Sequence, residues 1–167
     1  MGFLFALLSL AMLPTPPAHA EQKTWSCWEE AASRHNLDPV LLYAIARVET
    51  GARSGVVSGN TNGSYDIGVM QINSSWLPRL AKVGITAQML RDKPCLNVKV
   101  GAWILSDTIN RYGMNWRGVG AYNATTDWKR ARYARKVAAE LRRIQEKHRK
   151  QRAAQGGVLV ASAENAP

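Results

Sequence analysis

One run of residues, Asp38-Pro39-Val40-Leu41-Leu42-Tyr43-Ala44-Ile45-Ala46-Arg47-Val48-Glu49-Thr50-Gly51, constrains the fold more than any other. Asp38 is a good N-cap, Pro39 suits the first helical position, where no backbone donor is needed, and Gly51 can end the helix in the left-handed conformation. Between these signals Val40, Leu41, Leu42, Ala44, Ile45, Ala46 and Val48 are apolar almost all the way round. A surface helix shows a single apolar stripe, so this one is expected to be central and buried.

The flanking patterns are mostly helical. Residues 25–35 carry helical spacing. Pro94 opens a longer helix to about Tyr112, with Val98, Ala102, Leu105 and Ile109 on one face and Gly113 to stop it. A short turn or helix is expected over 116–122, and Asp127 begins a last helix to about Lys150. Residues 51–69, rich in Gly, Ser and Asn, predict an irregular loop or small β-ribbon, and Gly63 after Asn62 marks a tight turn. A short helix from about Val69 and another over 87–91 follow. At 167 residues this is one mostly α domain, with no internal repeat or heptad run.

Residues 1–20 have an apolar stretch from Phe3 to Leu13, a Pro-rich break and Ala18-His19-Ala20, the layout of a secretory signal cleaved before Glu21. The apolar stretch is shorter than the roughly 20 residues of a spanning helix. The chain is therefore expected to be exported, with no stable membrane insertion after cleavage. In an oxidising compartment Cys27 and Cys95 permit one intramolecular pairing, and a bridge closing their 68-residue separation would contribute roughly 4 kcal/mol in the chain-entropy view. Two buried free thiols are the alternative. The end, 151–167, is small-residue and unpatterned and reads as a disordered tail.

Charge is concentrated late. The net charge is +10, and residues 127–152 hold eleven Lys or Arg against Asp127, Glu140 and Glu146. This is either a solvated helix face or a surface for a polyanion such as wall polymer, anionic lipid or nucleic acid. No helix-turn-helix or metal-finger pattern accompanies it, so a nucleic-acid partner is not expected. His19, His35 and His148 show no ligand spacing, and neither a metal nor another cofactor is expected.

Glu49 is the first candidate for chemistry. It ends a mostly apolar helix, where the negative end of the macrodipole and burial both disfavour a carboxylate, so its pKa should rise and suit it to general-acid work. Arg47, two positions earlier, competes with that reading by offering a partner. Asp66 follows 17 residues later, far enough for a loop to return a second carboxyl across a cleft. Two carboxyls in unlike environments are what glycosidic cleavage requires. The alternative for Asp66 is a turn-stabilising side chain.

The segments Val48-Glu49-Thr50-Gly51, Asn62-Gly63-Ser64-Tyr65-Asp66-Ile67-Gly68-Val69-Met70-Gln71-Ile72-Asn73-Ser74-Ser75-Trp76 and Gly120-Ala121-Tyr122-Asn123-Ala124 together resemble the goose-type and chicken-type lysozyme superfamily. The closest resemblance is to the small lytic transglycosylases associated with bacterial secretion, conjugation and pilus systems. It covers roughly residues 25–125 and implies a lysozyme-like catalytic domain, residues 21–150, with a small loop or β-ribbon lining the cleft.

By that resemblance Glu49 is the catalytic acid and base, Met70 and Gln71 contact the glycan, and Tyr122 and Asn123 orient acid and substrate; Thr50 and Asn73 join the expected substrate-binding set. The chain departs from the usual motifs at Thr50 (commonly Ser), Val69 (commonly Leu) and Ala124-Thr125 (commonly Ala-Gly). Asp66 resembles the segment that supplies chicken-type lysozymes with their second acid. The implied activity is cleavage of the MurNAc–GlcNAc bond of peptidoglycan strands in the periplasm by transglycosylation with Glu49, giving 1,6-anhydro-muropeptides, in the service of an envelope machine; hydrolysis with Glu49 and Asp66 is the alternative. A non-catalytic wall-binding assembly protein is the rival. Trp25, Trp28 and Trp103 are expected in the core, whereas Tyr65 and Trp76 flank the cleft segment and could stack on sugars.

Overall fold

The computed structural model describes the backbone of residues 18–164 and the side chains of 25–154, so nearly all of the expected signal segment lies outside the described residues. The chain forms α1 (Ala18–Ser33), α2 (Pro39–Thr50), β1 (Val57–Gly59), β2 (Tyr65–Ile67), β3 (Ile72–Asn73), a 3-10 turn (Ser74–Trp76), α3 (Leu77–Ala81), α4 (Ala87–Asp92), α5 (Pro94–Tyr112), α6 (Trp116–Ala121) and α7 (Asp127–Glu164).

The expected central helix forms with the expected caps. Asp38 Oδ1 accepts from the Val40 N–H at 2.7 Å, and Gly51, at φ +67°, closes the other end on the Ala46 and Arg47 carbonyls. Leu42, Ala44, Ile45 and Ala46 are wholly buried, with α1, α5 and α7 packed around the helix. α1 docks through Trp25 and Trp28, both edge-on to Tyr43 of α2. A Cys27–Cys95 disulfide ties α1 to α5.

The polar segment becomes a three-stranded antiparallel sheet, β1-β2-β3. Its hairpin turns at Gly63, φ +81°. The register pairs Asp66 with Ser58 on one side and with Asn73 on the other. Directly opposed residues project from the same face, so this pairing sets Asn73 beside the Asp66 carboxylate.

Two boundaries differ from the sequence reading. No helix starts near Val69: Gly68 and Gln71 take positive φ (76° and 49°), the chain turns, and helix resumes only at the 3-10 turn and α3. The buried amide of Asn97 explains this, because it accepts from the Met70 N–H at 2.8 Å and donates to the carbonyls of Ile67 (2.9 Å) and Leu90 (3.1 Å). A tertiary partner thus supplies the bonds a helix would have supplied. Gly68 is required there, since a Cβ would lie 2.3 Å from Asn97 Nδ2. The last helix, for its part, continues to Glu164 rather than stopping near Lys150. Gln151, Arg152, Ala153 and Ala154 are all good helix formers, and no stop signal precedes them.

α7 has an apolar face as well as a basic one. Tyr133, Val137 and Ile144 are buried, with Leu141 packed beside them. Glu140, also buried, pairs with Arg47 of α2 at 3.1 Å and with Arg143.

Candidate active site

A cleft of about 760 Å³ runs between the sheet and the helices. Asn60, Asp66, Gln71, Asn73 and Trp76 line one side; Glu49, Ile104, Tyr122, Asn123 and Lys129 line the other.

Glu49 enters this cleft from the last turn of α2. Burial pushes its carboxyl up to about 7, the nearby Asp66 carboxylate adds to the rise, and two groups oppose it: the Tyr133 hydroxyl and the Lys136 ammonium. Tyr133 donates to Glu49 Oε1, which fixes the carboxyl's orientation and leaves Oε2 to carry the proton. Arg47 does not neutralise the acid, because its guanidinium turns to Glu140 (3.1 Å) and the Gly51 carbonyl (3.3 Å). The ordinary tyrosine pKa is raised for Tyr133 and Tyr122 by burial first and by the Glu49 charge second. Both hydroxyls therefore stay protonated donors at neutral pH.

Asp66 is held differently. Asn73 Nδ2 donates to its Oδ1 at 2.7 Å and Asn60 Nδ2 to its Oδ2 at 2.9 Å. Each carboxylate oxygen is engaged by one amide, which fixes the orientation of the group in the cleft. The cleft thus holds one carboxyl with a raised proton affinity and a second whose two oxygens are each tied to an amide.

The remaining expected site residues divide into those that reach the cleft and those that support it. Gln71 lines the cleft, tied to its own loop by a 2.9 Å bond from Nε2 to the Gly68 carbonyl. Tyr122 lines it and donates to the Met70 carbonyl at 2.8 Å, clamping the 68–71 turn to α6. Asn123 and Thr125 border it, and Arg130 holds the intervening Ala124 carbonyl at 3.0 Å.

Met70 and Thr50 correct the sequence reading. The Met70 side chain is wholly buried, and a Cβ on Gly101 would lie 2.8 Å from it, so it packs against α5 and offers the glycan nothing. Thr50 is also buried, its hydroxyl within bonding distance of the Val69 carbonyl (3.1 Å) and the Ala46 carbonyl (3.3 Å). It fastens the end of α2 to the 68–71 turn. Of the two aromatics left open, Trp76 lines the cleft, whereas the Tyr65 ring is not among its lining residues. Trp28 is buried and Trp25 and Trp103 are packed on the core, as expected.

Sequence reasoning missed Tyr133, Lys136, Lys129 and Asn60. Tyr133 had a signal: with Val137, Leu141 and Ile144 it forms a stripe at helical spacing inside the basic helix. Among the described residues, no group of three His, Cys, Asp or Glu side chains is placed to hold a metal, and no helix is long and apolar enough to cross a membrane.

A carboxylic acid of raised pKa facing a braced carboxylate in a polar cleft is the equipment of glycosidic cleavage. Residues 26–143 match the family described as the transglycosylase SLT domain. The chain belongs to this family.

Relatives of this SLT domain include invasion protein IagB of Salmonella typhi, 45% identical over 124 residues, 72% of this chain and 78% of that protein. Protein IpgF of Shigella flexneri is 41% identical over 117 residues, 70% of this chain and 77% of that protein. A peptidoglycan-binding-like protein of Escherichia coli O157:H7 is 34% identical over 151 residues, 84% and 89% of the two chains. The matched SLT segment contains Glu49, Asp66, Tyr122, Tyr133 and both cysteines. The protein is a lysozyme-like lytic transglycosylase, an enzyme that cuts glycan strands.

Proposed function

We propose that the enzyme cleaves the MurNAc–GlcNAc bond of peptidoglycan outside the cytoplasmic membrane and releases 1,6-anhydro-muropeptides, opening the wall locally for a secretion, conjugation or pilus apparatus. One observation carries the chemistry: of the cleft carboxyls, Glu49 has a pKa raised to about 7, which lets it start protonated and finish as a base. Glu49 gives its proton to the glycosidic oxygen as the bond to the anomeric carbon breaks. The muramic-acid 6-hydroxyl then attacks that carbon, its proton passes to the Glu49 carboxylate, and the acid is restored with no water consumed. An internal hydroxyl held near the reacting carbon has an effective concentration that water cannot match.

Asp66 suits the role of anion beside the oxocarbenium-like transition state. Its two amide bonds hold the carboxylate in one orientation in the cleft. Its place in the same cleft also keeps the hydrolytic reading specific: Asp66 as nucleophile and water as acceptor. Mass analysis of muropeptides released from purified wall separates the two. Transglycosylation gives products each lighter by one water than the hydrolytic ones, and a digest dominated by reducing ends would overturn the anhydro assignment.

The envelope role is supported by the relatives, among them one named as an invasion protein and one as peptidoglycan-binding-like. A periplasmic location is supported by the leader-like residues 1–20 and by the disulfide.

A further inference from the structure

A second cavity, of about 510 Å³, shares a wall with the catalytic cleft. Trp76 lines the cleft, Trp103 lines the cavity, and the two rings meet edge to face with centroids 5.3 Å apart. Arg34, His35, Arg79 and Lys99 converge on the cavity over an apolar floor that includes Leu80 and Val100. Arg34 and Lys99 are both spoken for by Glu30, at 2.9 and 2.8 Å. Arg79 is not: its guanidinium lies over Trp103 at 4.6 Å and Trp76 at 5.9 Å, with no carboxylate partner among the described residues. Stacking holds the fork in one orientation and leaves its N–H donors to bind an anion.

We propose that this cavity binds the carboxylate-bearing stem peptide of the strand held in the cleft, with Arg79 taking a carboxylate and the floor taking small apolar side chains. The inference rests on the glycan-cleaving reading above. The cleft itself offers such a group little, because Asp66 faces it and, among the described residues, Lys129 is its lone basic lining residue. Within peptidoglycan it is the peptide, not the sugar backbone, that carries clustered carboxylates. Reach is sufficient, since the Arg79 guanidinium lies 5.9 Å from the centre of the cleft-lining Trp76 ring and two extended residues span about 7 Å.

Kinetics on peptide-bearing and peptide-free glycan, for the full chain and for Arg79→Gln and Arg79→Lys, test this. Arg79→Gln should lower the ratio of kcat/KM for peptide-bearing over peptide-free glycan about tenfold, the loss of one charge-assisted bond. The change should come through KM, with partial recovery in Arg79→Lys. In parallel, the free stem tetrapeptide should shift the NMR signals of the Arg79 Nε–H and the Trp103 indole, and its fully amidated form should not. An unchanged kinetic ratio, or equal shifts from both peptides, would overturn the proposal. If the wild type cut neither glycan, the functional reading would fall, and the peptide titration alone would decide whether the cavity is an anion site.

Discussion

Burial holds the Glu49 carboxyl at a pKa of about 7 against an ordinary 4.5, so the folded chain binds that proton more tightly than the unfolded chain. The stabilising contribution is complete below pH 4.5 and is lost as pH rises through 7. Its size is at most about 3 kcal/mol. Glu49→Gln, which cannot ionise, should therefore unfold at higher urea concentration than wild type at pH 8, with the gain shrinking toward pH 5. The same variant should lose wall cleavage by about 100-fold or more, because an amide delivers no proton. Retention of a tenth of the activity would remove Glu49 from the role of acid. Tyr133→Phe removes a bond that favours the charged carboxyl, so the alkaline limb of its pH profile should move upward; an unmoved limb would show that the hydroxyl does not tune the acid. Asp66→Asn should slow the reaction while leaving the product mass as in the wild type, whereas a nucleophilic Asp66 would make that change far more costly.

At the scale of elements, the parts written locally were legible and the parts written by long-range partners were not. α2 could be read because Asp38, Pro39 and Gly51 punctuate it from within, and Glu49 could be read because it breaks the apolar pattern of that helix. The 68–71 turn could not, since what replaces its helical bonds is Asn97, 27 positions beyond Met70. Tyr133 was hidden by the charge of its own helix, which drew attention to the outer face rather than to the stripe it shares with Val137 and Ile144. Motif membership places Met70 and Thr50 near the site but does not say which way their side chains point. The bridge between α1 and α5 is a further element-scale feature. Unreduced, exported protein should show no free thiol on titration after denaturation. Replacing both cysteines with Ser should lower stability by about 2–4 kcal/mol in denaturant melts.

Over the whole molecule the positive charge is lopsided, with most of the net +10 carried by residues 127–152. Arg142, Lys147 and Arg152 are exposed on α7. Their triple change to Gln should weaken adsorption to intact anionic wall and flatten its salt dependence, because exposed charges act over roughly 10 Å at 0.1 M salt. Cleavage of short soluble glycans should be unaffected. Equal salt sensitivity in the two forms would leave α7 with a purely structural role.

The bond between Tyr133 and Glu49 spans 84 positions, and this has a temporal meaning for a chain threaded through a membrane N-terminus first. Such a chain could close its disulfide once Cys95 had emerged and shape its sheet earlier still, yet the acid would lack its tyrosine until the start of α7 had followed. In such a chain the power to cut the wall would thus arrive only after the sheet and the disulfide are already in place.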